Sequence, residues 1–130
     1  MKHQHLLIIN LTKTNQAENT LRIAETLANN YPALRITVLG DPSVKPLFDH
    51  NDSNINFMAA RIGSEYHGVK GLNALYRRLV AKQPTHIADL SHTKASCYLR
   101  IRFNMGRFRV QHTNKHHTPA DVFRRLGLPM

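Results

Sequence analysis

Apolar and polar positions along this chain follow a repeated two-part rhythm. Short continuous apolar runs give way to longer stretches in which apolar residues return every three or four positions. Leu6–Asn10 (LLIIN) is the first run, continuous as in a parallel strand covered on both faces. Asn15–Asn30 follows as a helix, with Ala17, Leu21, Ala24, Leu27 and Ala28 on one face and Tyr31-Pro32 at its end. Arg35–Leu39 (RITVL) is a β-branched strand closed by Gly40-Asp41-Pro42. Residues 42–53 predict a loop with one helical turn around Leu47-Phe48, and Ile55–Ala59 a third, shorter strand. Gly63–Lys70 reads as a loop. Gly71–Ala81 reads as a helix, with Leu72, Leu75, Tyr76, Leu79 and Val80 at helical spacing. Thr85–Leu90 is a fourth strand. Ser91 is expected to cap a helix over 92–104, in which Ala95, Leu99 and Phe103 share a face and which Gly106 stops. Phe108–His112 is a fifth strand, Phe108 and Val110 alternating with Arg107 and Arg109. Thr118-Pro119-Ala120-Asp121 starts a last helix, with Thr as N-cap, Pro first and Asp in the first turn, and Gly127 ends it.

Strand–helix alternation of this kind predicts an α/β fold with a doubly wound parallel sheet and right-handed crossovers. A strand order of 3-2-1-4-5 puts the first and fourth strands side by side at the centre. Ligands of such sheets bind beyond the carboxyl ends of strands where the order reverses. Here that crevice is walled by Asn10–Gln16 and Asp89–His92.

At 130 residues the chain can bury one core. Cys97 is the only cysteine, so there is no disulfide framework and a reducing, cytoplasmic setting is expected; on its helix it reads as a packing residue. The N-terminal apolar run is too short for a signal peptide or a membrane span.

Charge changes this picture. Residues 1–65 hold six Lys/Arg and six Asp/Glu, whereas residues 66–130 hold twelve Lys/Arg but only Asp89 and Asp121, so the formal +10 belongs to the second half. That asymmetry suggests a polyanionic partner, a phosphorylated lipid, an anionic membrane surface or nucleic acid, against the plain alternative of a solvated basic face. Arg100, Arg102, Arg107, Arg109 and Lys115 are expected to form one positive region. Tyr98, Phe103 and Phe108 are base-stacking platforms in the nucleic-acid reading and core residues in the other. Lys70 and the amides of His67-Gly68-Val69-Lys70-Gly71 can hold a phosphate, or simply turn the chain into a helix. His3 and His5 lie at an expected frayed terminus, and His112, His116 and His117 cluster, but no Cys or carboxylate joins either group at ligand spacing. No metal site is expected. Neither G-x-G-x-x-G nor G-x-x-x-x-G-K-[ST] occurs, so no nucleotide cofactor is expected.

Several segments, in this order, carry a resemblance: LLIINL with its helix, YPALRITVLGDP, EYHGVKGLNALYRRLVAKQ, HIADLSHTKASCYLRIRF and GRFRVQHTNKHH. Together they resemble the N-terminal half of a heptosyltransferase-like protein of glycosyltransferase family nine, nearest to its Bacteroides-type members. The resemblance spans nearly the whole chain. It implies a Rossmann-like acceptor-side domain over 1–117, half of a two-domain GT-B fold, with 118–130 as a C-terminal helix or the start of a missing second domain. It also implies transfer of a heptose from a nucleotide-activated donor to the inner core of lipopolysaccharide, in the cytoplasm at the inner membrane, without metal. The implied acceptor-side residues are Asn10, Thr12, Asn15, Gln16, Asp89 and His92.

The chain departs from the family at its signature. Relatives carry Arg-x-Ser-x-Leu-Gly-Asp after the first strand, its Asp the presumed base; this chain reads Asn10-Leu11-Thr12-Lys13-Thr14-Asn15-Gln16. Gln16 stands at the Asp position, and an amide cannot act as general base. A family-typical basic residue near Ala95 is also gone. His92, just past the fourth strand, is the substitute candidate, against a plain surface histidine at a helix start. Asp89 is the other acid nearby, and a strand-end Asp commonly caps the next helix. The expectation is an acceptor-binding domain inactive alone, whether truncated, a remnant or half of a split enzyme needing a donor-domain chain. The alternative is a non-enzymatic basic module that binds nucleic acid or anionic membrane.

Overall fold

The computed structural model describes residues 4–11, 16–48, 55–62, 66–91, 93–106, 108–113 and 118–128, with residues 16 and 17 described by backbone alone. Five strands form one parallel sheet: β1 (His5–Asn10), β2 (Arg35–Gly40), β3 (Ile55–Ala59), β4 (His86–Asp89) and β5 (Arg109–His112). Their order is β3-β2-β1-β4-β5. β1 pairs with β2 from His5 opposite Arg35 to Asn10 opposite Gly40, and with β4 from Leu6 opposite His86 to Ile9 opposite Asp89. The apolar runs predict this order because only strands covered on both faces can omit polar positions.

Helices cover both faces. The first core layer joins Leu6 and Ile8 of β1 to α1 (Gln16–Asn30), the one-turn α2 (Lys45–Phe48) and α5 (Pro119–Arg125). The second joins Leu7 and Ile9 to α3 (Gly68–Ala81) and α4 (Lys94–Met105). All four β1 side chains are almost wholly buried, each contributing about 1.5–3 kcal/mol of transfer free energy. Phe103 of α4 anchors the second layer, with the rings of Tyr76 and Phe108 edge-on at 4.9 and 5.1 Å. Val122 and Phe123 of α5, with Leu126 and Leu128 beyond it, close the first layer.

Four readings of the sequence are corrected. α4 is capped by Thr93, not Ser91: Thr93 Oγ1 accepts the Ser96 N–H at 3.1 Å, and Ser96 Oγ accepts the Thr93 N–H at 2.8 Å. Ser91 is occupied elsewhere, donating to Asp89, so the helix runs 94–105 instead of 92–104. Gly68–Lys70 is already helical rather than loop. Its glycines have backbone duties: Gly68 has φ +66°, and a Cβ on Gly71 would lie 2.6 Å from the Tyr66 carbonyl carbon. Cys97 is exposed rather than packed, because the face α4 turns to the sheet is Ser96, Leu99 and Phe103. His5 is not part of a frayed end; it is the buried first residue of β1. On α1, Thr20 and Ile23 share the buried face with Ala24 and Leu27, while Leu21 and Ala28 pack at its margin.

Candidate functional site

The order reverses between β1 and β4, so their carboxyl ends flank the crevice where this architecture takes ligands. α1 and α4 begin on either side of it. Asn10 closes β1, but it is buried, and its Nδ2 donates to Thr20 Oγ1 at 2.5 Å. That bond turns the amide onto α1 and fixes the strand to its helix. Thr12, Asn15 and His92 lie outside the described residues, and the Gln16 side chain is likewise undescribed; the backbone places Gln16 at the head of α1.

Asp89 ends β4 with no solvent exposure. Its Oδ1 accepts from the Ser91 N–H at 2.9 Å and the Ser91 hydroxyl at 2.8 Å, and its Oδ2 pairs with Arg100 Nε at 2.7 Å. A carboxylate at this depth must be paired, since an isolated buried charge costs several kcal/mol. Asp89 therefore closes the β4–α4 turn on itself and clamps it to the second turn of α4. It does not cap the helix, a role that Thr93 takes.

The cations expected to form one region reach different partners. Arg100 is spent on Asp89, with 13% of its side chain exposed. Arg102 lies over the Tyr76 ring, 4.9 Å from its centroid. Arg109 is exposed on edge strand β5, with Nη1 3.4 Å from His86 Nε2. Arg107 and Lys115 lie outside the described residues. Lys70 is exposed in the first turn of α3. Phe103 is core, Phe108 packs against it, and the Tyr98 hydroxyl donates to Asn73 Oδ1 at 2.7 Å.

Sequence reasoning missed a polar cluster at the other end of the sheet. His5 and His86 are both buried. The Lys82 carbonyl can only accept, so His5 Nδ1 carries the proton, donating at 2.9 Å, and Nε2 accepts from the Thr37 hydroxyl at 2.7 Å. Arg109 can only donate, so His86 Nε2 is its acceptor, and Nδ1 donates to Thr85 Oγ1 at 2.8 Å. Burial lowers both histidines below the ordinary value of 6.5, and the cations Arg35 and Lys82 beside His5 and Arg109 beside His86 lower them further. The signal was available: each histidine stands at the start of an apolar strand. Among the described residues no three His, Cys, Asp or Glu side chains group as a metal site.

No protein-family model and no curated protein matches this sequence. Among solved structures, the fold is similar to the crystal structure of a glycosyl transferase family 9 protein from Veillonella parvula DSM 2008, with a TM-score of 0.73 at 20% identity. The likeness covers 98% of this chain and 43% of that one, so this chain spans under half the length of its neighbour. At that identity the comparison establishes the α/β architecture.

Proposed function

We propose that this chain is the acceptor-side domain of a glycosyltransferase-like protein, of the heptosyltransferase type in family nine, and that it binds its acceptor without transferring sugar. The observation that carries this reading is the fold likeness over 98% of the chain. It agrees with the sequence blocks that resemble the N-terminal half of that family. In this reading the acceptor lies in the switch-point crevice beside Gln16 at the head of α1, which the strand order supports. The class of acceptor is an anionic glycolipid of the lipopolysaccharide inner-core type, met at the cytoplasmic face of the inner membrane, with a donor domain needed from the rest of the protein or from a partner chain.

Inactivity follows from the residue at the base position. Gln16 offers an amide where relatives place a carboxylate, and loss of a general base typically costs on the order of 10²–10⁴ in rate. The test pairs two measurements on the purified chain: binding of a lipopolysaccharide inner-core acceptor, and turnover of a nucleotide-activated heptose. The expected outcome is saturable acceptor binding with no turnover, unchanged by Gln16→Asp. Turnover by the unaltered chain overturns the inactive reading, and its loss in His92→Ala would then make that histidine the replacement base. Absence of acceptor binding overturns the acceptor-side reading.

A further inference from the structure

The two helical layers differ in charge far more than their lengths require. α3 and α4 carry Lys70, Arg77, Arg78, Lys94, Arg100 and Arg102, and no Asp or Glu. The opposite layer mixes signs, with Glu18, Glu25 and Asp121 against Arg22, Lys45, Arg124 and Arg125. The asymmetry seen along the sequence is thus an asymmetry between the two faces of the sheet.

The outer surface of the basic layer is also apolar in a patterned way. Lys94, Cys97, Ile101 and Met105 recur at helical spacing on the side of α4 opposite its buried Ser96, Leu99 and Phe103. Ile101 is 54% exposed and Met105 71%, and Val69 at the head of α3 is 62% exposed. On α3 the exposed residues Lys70, Ala74, Arg77 and Ala81 form a parallel outward stripe, cations separated by methyl groups. The Tyr98–Asn73 hydrogen bond and the Arg102–Tyr76 contact tie the two helices into one surface.

We propose that the outer face of α3 and α4 docks on an anionic lipid bilayer, with Ile101, Met105 and Val69 entering the interface and Lys70, Arg77 and Lys94 meeting the headgroups. Cations around exposed aliphatic side chains match the two zones of a bilayer surface, charge outside and hydrocarbon beneath. A single-stranded nucleic acid would need open aromatic rings for stacking. This face offers no fully exposed ring: Tyr98 is half-buried with its hydroxyl held by Asn73, Tyr76 is half-buried beneath Arg102, and Phe103 is buried. Among the described residues no helix is long and apolar enough to cross a membrane, so the contact is with the surface. The inference rests on the chemistry of this face and not on the acceptor-domain reading.

The chain carries its own reporter, since its one cysteine, Cys97, is exposed within the stripe. An environment-sensitive fluorophore on Cys97 is titrated with vesicles of mixed phosphatidylglycerol and phosphatidylcholine, and with pure phosphatidylcholine; neither contains a sugar acceptor. A blue shift is expected with the anionic vesicles alone, and it is lost near 1 M salt, where the Debye length falls to about 3 Å. Unlabelled protein is sedimented with the same vesicles. Lys70→Glu with Arg77→Glu lowers binding about tenfold or more, each cation near an anionic surface contributing about fivefold. Ile101→Ser with Met105→Ser weakens it several-fold, with unchanged circular dichroism. Arg22→Glu with Lys45→Glu, a matched reversal on the other layer, leaves binding intact. Equal binding to neutral vesicles, an equal loss from the α1 and α2 reversal, or preference for single-stranded RNA over anionic vesicles in the same salt would overturn the proposal. Vesicle binding without acceptor binding removes the acceptor reading alone, and the converse removes this one alone.

Discussion

At the scale of single residues, the buried histidines make stability depend on pH in a definite direction. His5 and His86 bind a proton less readily in the folded chain than at their ordinary value of 6.5. As pH falls through about 6.5 the unfolded chain takes up protons first, so stability is full above that point and declines below it, toward the lowered folded values. Urea melts between pH 7.5 and 5 read this decline directly. His86→Gln should remove that residue's share of the decline and leave the share of His5, because an amide can keep one hydrogen bond and does not titrate in this range. A melt midpoint that rises on acidification would contradict the neutral tautomers. Two glycines in one helical turn give a second check. Gly71→Ala drives a methyl group against the Tyr66 backbone, which cannot swing aside as a side chain can, and should cost about 1–3 kcal/mol. Gly68→Ala meets no atom within 4 Å but must hold φ +66°, at about 1–2 kcal/mol. Melts of the two variants separate the costs only in combination with Gly68→Asn. Asn tolerates that backbone, so it should recover part of the second loss and has no counterpart at position 71.

Among elements, the turn from β4 into α4 shows what the sequence could and could not convey. β1 was legible because its four apolar residues leave no polar face, and β4 from the run Ile87–Leu90, although two of its four residues, His86 and Asp89, are polar and buried. The start of α4 was not. Ser91, Thr93 and Ser96 are all capping residue types, and Ser91 is taken by Asp89 two residues before it in a local Asp turn, leaving the cap to Thr93. The partner that balances this buried carboxylate, Arg100, stands eleven positions further on and looks in sequence like one more surface cation. Hence the basic residues were counted correctly while their uses stayed hidden. Cys97 was misplaced for a different reason: it stands two residues before Leu99, about 200° around the helix, so the spacing already put it opposite the buried face of Leu99 and Phe103. Asp89→Ala should destabilise the fold by about 3–5 kcal/mol, since it leaves the Arg100 guanidinium buried and unpaired. The double variant with Arg100→Met should recover much of that loss in denaturant melts. If the single and double variants are equally unstable, the ion pair is not the clamp joining β4 to α4.

For the molecule as a whole, strand order and the two-sided helical cover followed from the alternation of periods, but the division of charge between the layers did not. It emerges only when the sheet assigns α3 and α4 to one side and α1, α2 and α5 to the other. The central position of β1 has a consequence for how the chain reaches this state. One edge of β1 is satisfied early, by β2 some thirty residues on. The other waits for β4, and the bonds that seal it, from the His5 N–H to Thr85 Oγ1 and from the Thr85 N–H to the His5 carbonyl, join residues eighty apart. A nascent chain therefore carries an unpaired edge of Leu6, Leu7, Ile8 and Ile9 until β4 has emerged, and loop-closure entropy delays the pairing further. The strand buried on both faces in the folded protein is thus an open apolar edge before β4 emerges, and that interval is where a holding chaperone has an edge to protect.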